Sequence, residues 1–295
     1  MTTDSAAATI EGLHPTPRDR ICLVTGATSG IGRVAATTLA GMGATVLLAG
    51  RDRGRGEAAV AEIRRGGGTA EFLQADFSSL RAVRALAAEV RSRHARLDVL
   101  LNNAGGVNAE RRLTPDGIEQ TFAVNHLATF LLTEELRELL VASAPARIVT
   151  VASEAHRMLQ TLDFDNLQGE QNYKGIRAYA ISKLANVLHT YELDRRLRGS
   201  GLTANCLHPG VVRTGIWGSS RGLLRLLTCL GQPFMISAER GARPLIKLAS
   251  DPACAALSGR YFLKMKEARS SPLSYDTEVA ARLWETSAAL IAGAR

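Results

Sequence analysis

A chain of 295 residues with 46% hydrophobic side chains can bury one substantial core, and its first twenty residues hold no apolar run of signal or membrane-spanning length, so a soluble cytoplasmic protein without stable membrane insertion is expected. Four scattered cysteines (Cys22, Cys206, Cys229, Cys254) without a C-x-x-C pair exclude a disulfide framework and a zinc ribbon, and six histidines without ligand spacing predict no metal site. The formal charge of +8 is mostly arginine dispersed along a chain with only 5% aromatics, which argues against nucleic acid and leaves a small anionic ligand as the partner such a charge suits.

Residues 1–19, with Pro15 and Pro17, carry no periodic pattern and read as a flexible lead-in to one domain over residues 20–295. Ile21 to Thr25 is a short β-favouring run. It is followed by Gly26-Ala27-Thr28-Ser29-Gly30-Ile31-Gly32 and a helical pattern through Val34, Leu39 and Met42. Strand, glycine turn and helix form the setting of a dinucleotide loop, because glycines let a pyrophosphate approach the backbone and the helix offers it unpaired N–H groups. A second strand, Ala44 to Ala49, ends in Gly50-Arg51-Asp52-Arg53. An arginine at that place accommodates a ribose 2′-phosphate, and an acidic residue accepts from a 2′-OH. Arg51, with Arg33 directly after the glycine loop, favours NADP(H), and Asp52 keeps NAD(H) as a minority reading.

Residues 54–66 read as a helix ended by Gly66-Gly67-Gly68, and Thr69 to Ala75 as the third strand. Asp76-Phe77-Ser78-Ser79 then opens a helix through Val90, with Asp76 equally readable as a turn residue. The fourth strand, Asp98 to Leu101, runs into Asn102-Asn103-Ala104-Gly105. Asn102 reads as structural, and Asn103, Ala104 and Gly105 as cofactor-lining because small residues let a ligand lie close to the chain. A long helix from about Gly117 to Leu140 carries Asn125 in its interior, where asparagine needs a reason to be. Arg147 to Val151 is the fifth strand and delivers Ser153, whose hydroxyl suits donation to a substrate carbonyl. Tyr179 and Lys183 share one helix face a turn apart, so the ammonium is expected to draw the phenol's pKa down toward proton-transfer range. Tyr173 is either a substrate wall or a surface aromatic.

Leu202 to Leu207 is the sixth strand, and its loop His208-Pro209-Gly210-Val211-Val212-Arg213-Thr214 falls at the strand's carboxyl end, where ligands bind in an open α/β sheet. Residues 215–235, apolar with arginine edges, suit a substrate lid or a membrane-surface contact. A helix from Ala238 to Leu248, a strand at Arg260 to Leu263 and a helix from Thr277 to Leu290 complete the chain.

The motif T-G-x-x-x-G-x-G at Thr25 to Gly32, Asn102-Asn103-Ala104-Gly105 and Tyr179-x-x-x-Lys183 occur in one order and together resemble the short-chain dehydrogenase/reductase family over about residues 20–215. The 26 residues between Ser153 and Tyr179 exceed the family's usual spacing. Ala155-His156, Leu167-Gln168-Gly169-Glu170, the text around Asn125 and Ser182 to Leu188 are similar to its retinol-dehydrogenase-like subgroup.

The resemblance implies a doubly wound, Rossmann-type α/β domain with a mainly parallel seven-stranded sheet, NADP(H) as cofactor, and a carbonyl or alcohol as substrate. It further implies that Asp76 and Phe77 border the adenine, that Val212 and Thr214 meet the carboxamide, and that Lys183 binds ribose. Asn125 would hold a relay water, and a homodimer or homotetramer would form. Three alternatives are a ketoreductase tailoring a polyketide or other natural product, a non-catalytic cofactor-binding regulatory protein, and an extended-branch epimerase. The intact Asn125, Ser153, Tyr179 and Lys183 set argues against the second, and the glycine spacing against the third.

Overall fold

The computed structural model describes residues 18–212 and 235–294. Most of the lead-in, Thr214 and all of the 215–235 segment except Met235 lie outside the described residues. The chain builds β1 (Ile21–Thr25), α1 (Gly30–Gly41), β2 (Thr45–Gly50), α2 (Arg53–Arg65), β3 (Thr69–Gln74), α3 (Leu80–Arg93) and β4 (Val99–Asn102). A one-turn α4 (Gln120–Phe122), a π-turn at Ala123–Leu127 and α5 (Ala128–Ala142) follow, then β5 (Ala146–Val151), α6 (Gly175–Arg196) and β6 (Leu202–His208). The chain ends with α7 (Ala238–Ser250), β7 (Arg260–Leu263), β8 (Lys266–Ala268) and α8 (Thr277–Gly293).

Among the described residues the sheet has eight strands in the order β3-β2-β1-β4-β5-β6-β7-β8, one more than the seven expected. Its first seven strands are parallel and β8 pairs antiparallel with β7. Three charged or small residues at an edge carry no hydrophobic period, so Lys266–Ala268 becomes a strand only through the hairpin that seats it on β7. The period-two alternation of the central strands divides them between two cores. Leu23, Leu47, Leu100 and Ile148 face the layer of α3, α5, α6 and α8. Cys22, Val24, Val46, Leu48, Leu101 and Val149 face the layer of α1, α2 and α7. Polar function is thereby displaced to the strand ends. The order reverses between β1 and β4, and the crevice at their carboxyl ends is where such sheets bind ligands.

One polar feature lies inside the first core. His189 is buried beside Phe130, Trp284 and His126, with ring centroids 5.3, 5.5 and 6.0 Å away, and neither of its nitrogens has a hydrogen-bond partner among the described residues. Burial pushes its imidazole down to about 3, with His126 adding repulsion, and burial pushes His126 itself down to about 4. His126 is held by Asn186 Oδ1 at 3.3 Å and Ser287 Oγ at 2.9 Å.

A folded-state pKa below the unfolded value of 6.5 means the unfolded chain binds the proton first, so the titration of His189 adds no cost well above pH 6.5 and destabilises the fold as pH falls toward 3. The His189→Leu variant should therefore escape about 2 kcal/mol of the stability the parent loses between pH 7 and pH 5. Urea unfolding at the two pH values checks this; equal losses in parent and variant would count against it.

Candidate functional site

The crevice is assembled by a hydrogen-bonded junction at the ends of β1 and β4. Thr25 Oγ1 donates to the Leu101 carbonyl at 3.2 Å and accepts from the backbone N–H groups of Asn103 and Ala104, both at 2.9 Å. Asn103 Nδ2 returns the link, donating to the carbonyls of Thr25 at 2.9 Å and Gly26 at 3.3 Å. Gly26 takes φ +64°, and a Cβ on Gly32 would stand 2.4 Å from Asn103 Nδ2 and 2.5 Å from the Gly26 carbonyl oxygen, so no other residue fits there without displacing the junction. The sequence reading assigns Thr25 no role beyond its strand. A hydroxyl at a buried strand end, directly before a glycine loop, is the signal that could have found it. Asn102 is structural as expected, its Nδ2 donating to Thr133 Oγ1 at 3.2 Å.

A cleft of about 460 Å³ opens above this junction, lined by Gly26, Thr28, Ser29, Gly30, Ile31, Arg51, Asp76, Phe77, Asn103, Ala104 and Gly105 among the predicted residues. Ser29 caps α1 in extended conformation without a side-chain cap bond, which leaves the N–H groups of the first turn for a ligand. Gly32 and Arg33 line no part of it: Gly32 packs on the junction, and Arg33 pairs with Glu62 of α2. Arg55, which sequence reasoning passed over, lines the cleft beside Arg51. Both lie at the mouth, and the Arg51 guanidinium has no partner among the described residues. Asp52 is occupied as the α2 N-cap, accepting from Arg55 N at 3.0 Å and pairing with Arg55 Nε at 3.3 Å. Asp76 both lines the cleft and closes a turn, accepting from the N–H and hydroxyl of Ser78 at 3.0 and 2.8 Å.

The first cleft shares Ile31, Asn103, Gly105 and Gly106 with a second, more enclosed pocket of about 180 Å³ that holds Ser153, Tyr179, Lys183, Pro209, Gly210 and Val212. Ser153 follows β5, Tyr179 and Lys183 stand on α6, and the three meet because β5 and β6 pair beneath α6. The Tyr179 phenol is hydrogen-bonded to Ser153. Lys183 is buried, with Nζ donating to the Val151 carbonyl at 2.9 Å and standing 5.7 Å from the Tyr179 ring centroid. Burial raises the Tyr179 pKa and the Ser153 bond only offsets it, which corrects the expectation that the ammonium draws the phenol down. The lysine pays the same desolvation, its pKa falling to about 8.

Asn125 lies within the π-turn, fully buried. Its Oδ1 accepts from Gly106 N at 2.8 Å, and its Nδ2 donates to the Gly106 carbonyl and Ser182 Oγ, both at 2.9 Å. Its carbonyl accepts from Asn186 Nδ2 at 3.0 Å and Thr129 Oγ1 at 3.2 Å, a displacement from regular helix bonding that π-turns supply. Tyr173 donates to Glu119 Oε1 at 3.0 Å and the Asn108 carbonyl at 3.3 Å; it latches the 157–176 insert to the α4 N-terminus and lines neither cleft. Among the described residues no three His, Cys, Asp or Glu side chains gather as a metal site, and no helix is long and apolar enough to cross a membrane.

The family model described as short chain dehydrogenase matches residues 20–222. Retinol dehydrogenase 14 of Homo sapiens is 41% identical over 287 residues, spanning 91% of this chain and 85% of that protein. The proposed daunorubicin C-13 ketoreductase DnrU of Streptomyces sp. (strain C5) is 42% identical over 287 residues, spanning 94% and 96%. Among solved structures, an uncharacterized protein from Mycobacterium Paratuberculosis superposes with a TM-score of 0.77 at 34% identity, covering 95% of this chain and 96% of that one. The Pseudomonas aeruginosa RhlG/NADP active-site complex superposes with a TM-score of 0.67 at 28% identity, covering 85% and 97%. The chain belongs to the short-chain dehydrogenase family. It is a retinol-dehydrogenase-like oxidoreductase acting on CH–OH and C=O groups, with a fold that binds a nicotinamide cofactor.

Replacing Thr25 by valine keeps the shape and removes the hydroxyl, leaving the N–H groups of Asn103 and Ala104 without their acceptor. The Thr25→Val variant should lose about 2 kcal/mol of unfolding free energy. Denaturant titration checks the value, and a loss within about 0.5 kcal/mol of zero would remove Thr25 from this role.

Proposed function

We propose that this chain moves hydride between NADP(H) and an apolar carbonyl or alcohol, with Asn125, Ser153, Tyr179 and Lys183 as its catalytic residues. The observation that carries the reading is Tyr179 hydrogen-bonded to Ser153 in a pocket continuous with a dinucleotide-sized crevice. The Gly26 and Gly30 turn that lines the cleft, the uncapped first turn of α1 and the Arg51–Arg55 pair together fit a phosphate-bearing dinucleotide. When bound, the nicotinamide is the hydride donor or acceptor.

The chain's own residues handle the oxygen and its proton. A serine hydroxyl has one proton and two lone pairs. Ala155 N–H takes one lone pair of Ser153 at 3.2 Å, and the bond to Tyr179 that partly offsets the raised phenol pKa sets the two hydroxyls side by side, where a carbonyl oxygen would meet both. Tyr179, kept protonated by burial, then gives its proton to that oxygen in reduction and takes it back in oxidation. Lys183 would hold the ribose and keep positive charge near the phenol oxygen where the phenolate develops. Asn125 fixes the Gly106 backbone between the two clefts, and in this reading it would also hold the water of a proton relay.

Gly26, Thr28, Ser29, Gly30 and Ile31 would hold the pyrophosphate, Asp76 and Phe77 the adenine, and Pro209, Gly210 and Val212 the carboxamide. Arg51 and Arg55 together would hold the 2′-phosphate, which favours NADP(H), and the Asp52 carboxylate is already spent on its cap. The enclosed pocket is walled by Ala155, Ile176, Val211 and Val212, which suits an apolar substrate. A natural-product ketoreductase is the second reading, favoured by the 42% identity to DnrU over nearly its whole length. Cys22, Cys206 and Cys254 are buried free thiols, which fits a reducing cytoplasmic setting.

Purified protein should oxidise NADPH in the presence of some members of a panel of retinaldehyde, aliphatic aldehydes and polycyclic aromatic ketones. The Tyr179→Phe variant should lose at least about 100-fold in kcat. NADPH binding without turnover across the panel would favour a regulatory protein. In the Arg51→Ala/Arg55→Ala variant, KM for NADPH should rise about 10-fold and KM for NADH stay put. Equal effects on the two cofactors would overturn the 2′-phosphate assignment.

A further inference from the structure

The turn after Ser153 is gripped at both ends of one imidazole. His156 is fully buried, with Nδ1 2.5 Å from the Ser153 carbonyl oxygen and Nε2 2.9 Å from the backbone nitrogen of Ser271, 115 residues on in the chain. The Ser271 N–H can only donate, so Nε2 must present its lone pair. The neutral ring then carries its single proton on Nδ1, aimed at Ser153. A protonated ring would set two N–H groups against each other, and burial holds the His156 pKa below the ordinary histidine value.

The anchoring continues around the turn. The Ser153 carbonyl also accepts the His156 backbone N–H at 3.1 Å. The Tyr261 hydroxyl donates to Glu154 Oε1 at 2.6 Å, and its ring packs edge-on against His156 with centroids 5.1 Å apart. Ser271 itself is 2% exposed in the segment between β8 and α8, so the imidazole is braced against a fixed wall. Ser153 leaves β5 in extended conformation, φ −161° and ψ 152°, with its carbonyl pinned on one side and its hydroxyl turned to Tyr179 on the other.

We propose that His156 is a positioning residue: its Nδ1–H, locked in that tautomer by the Ser271 N–H, fixes the Ser153 peptide and so the place of the Ser153 hydroxyl against Tyr179. The proposal rests on the reading of Ser153 and Tyr179 as the pair that handles the carbonyl oxygen. It gives the segment after β8 a part in the active site, although that segment lines neither cleft.

Two amide substitutions separate positioning from plain support. Asparagine keeps an N–H donor at the Nδ1 position and has nothing at Nε2, whereas glutamine keeps an acceptor for Ser271 and loses the donor to Ser153. If His156 positions Ser153, His156→Asn should hold kcat within about 5-fold of the parent, and His156→Gln should lose about 100-fold in kcat with KM changed less than about 3-fold. If His156 only secures the Ser271 segment, the order reverses. The assay uses NADPH with all-trans-retinaldehyde, with melting temperatures measured beside it, and crystal structures of both variants read the Ser153 Oγ to Tyr179 distance.

A glutamine variant as active as the asparagine one, or with Ser153 Oγ still within hydrogen-bond distance of Tyr179, overturns the proposal. Should His156→Gln not fold, the asparagine variant decides: near-parental kcat supports the proposal, and a 10-fold or larger loss at unchanged melting temperature overturns it. Should the parent not turn over retinaldehyde, that substrate reading fails on its own, and the crystallographic position of Ser153 in the two variants still decides the role of His156.

Discussion

Everything at the carboxyl end of the sheet depends on one hydroxyl. Thr25 sits where β1 stops and the strand order reverses, and its Oγ1 holds Asn103 and Ala104 of the neighbouring segment while Asn103 holds Thr25 and Gly26 in return. Two segments 76 residues apart are thereby held together at the rim of the crevice. The parallel sheet is buried on both faces, so its interior can carry no exposed polar chemistry, and the strand ends are where polar groups meet solvent and ligand. The glycine loop is a consequence of this junction as much as a ligand cradle, since Gly32 must lack a Cβ to let Asn103 reach across.

A second set of bonds ties the chemistry to that frame. The Val151 carbonyl at the end of β5 accepts Lys183 Nζ and Asn186 Nδ2, and Asn186 in turn holds the Asn125 carbonyl, so one strand end orients the lysine and the π-turn together. Ser153 lies two residues beyond, under the brace of His156. Each reactive group thus hangs from backbone that the sheet has already fixed, which is how an enzyme obtains geometry without ordering it at the moment of reaction. Desolvation is the cost. It raises the Tyr179 pKa and lowers that of Lys183, so burial shifts each of the two toward its neutral form.

Much of this was legible in the chain. Buried strands read as apolar runs, helices as 3.6-residue periods, and the glycine turn, Asn-Asn-Ala-Gly and Tyr-x-x-x-Lys segments announce themselves by local spacing, so the order of elements and most cleft residues follow from sequence alone. Boundaries shifted by one to three residues, as at β2 and the closing helix. The readings that changed were those that depended on a partner distant in the chain. Arg33 is placed by Glu62, Arg55 by the turn of α2 over the cleft, Tyr173 by Glu119, and Lys266–Ala268 by β7.

The sequence by itself determined the fold class, and it singled out the glycine loop and the residues proposed as reacting groups, because these rest on patterns a few residues long. Tertiary structure alone decided which arginines face the cleft, how far burial shifts the tyrosine and lysine, and that a histidine three residues after Ser153 is braced by Ser271. The physical reason is one of range: periodicity and turn chemistry act along the chain, whereas desolvation and hydrogen-bond partnership depend on what the fold brings alongside, and no spacing encodes a neighbour 115 residues away.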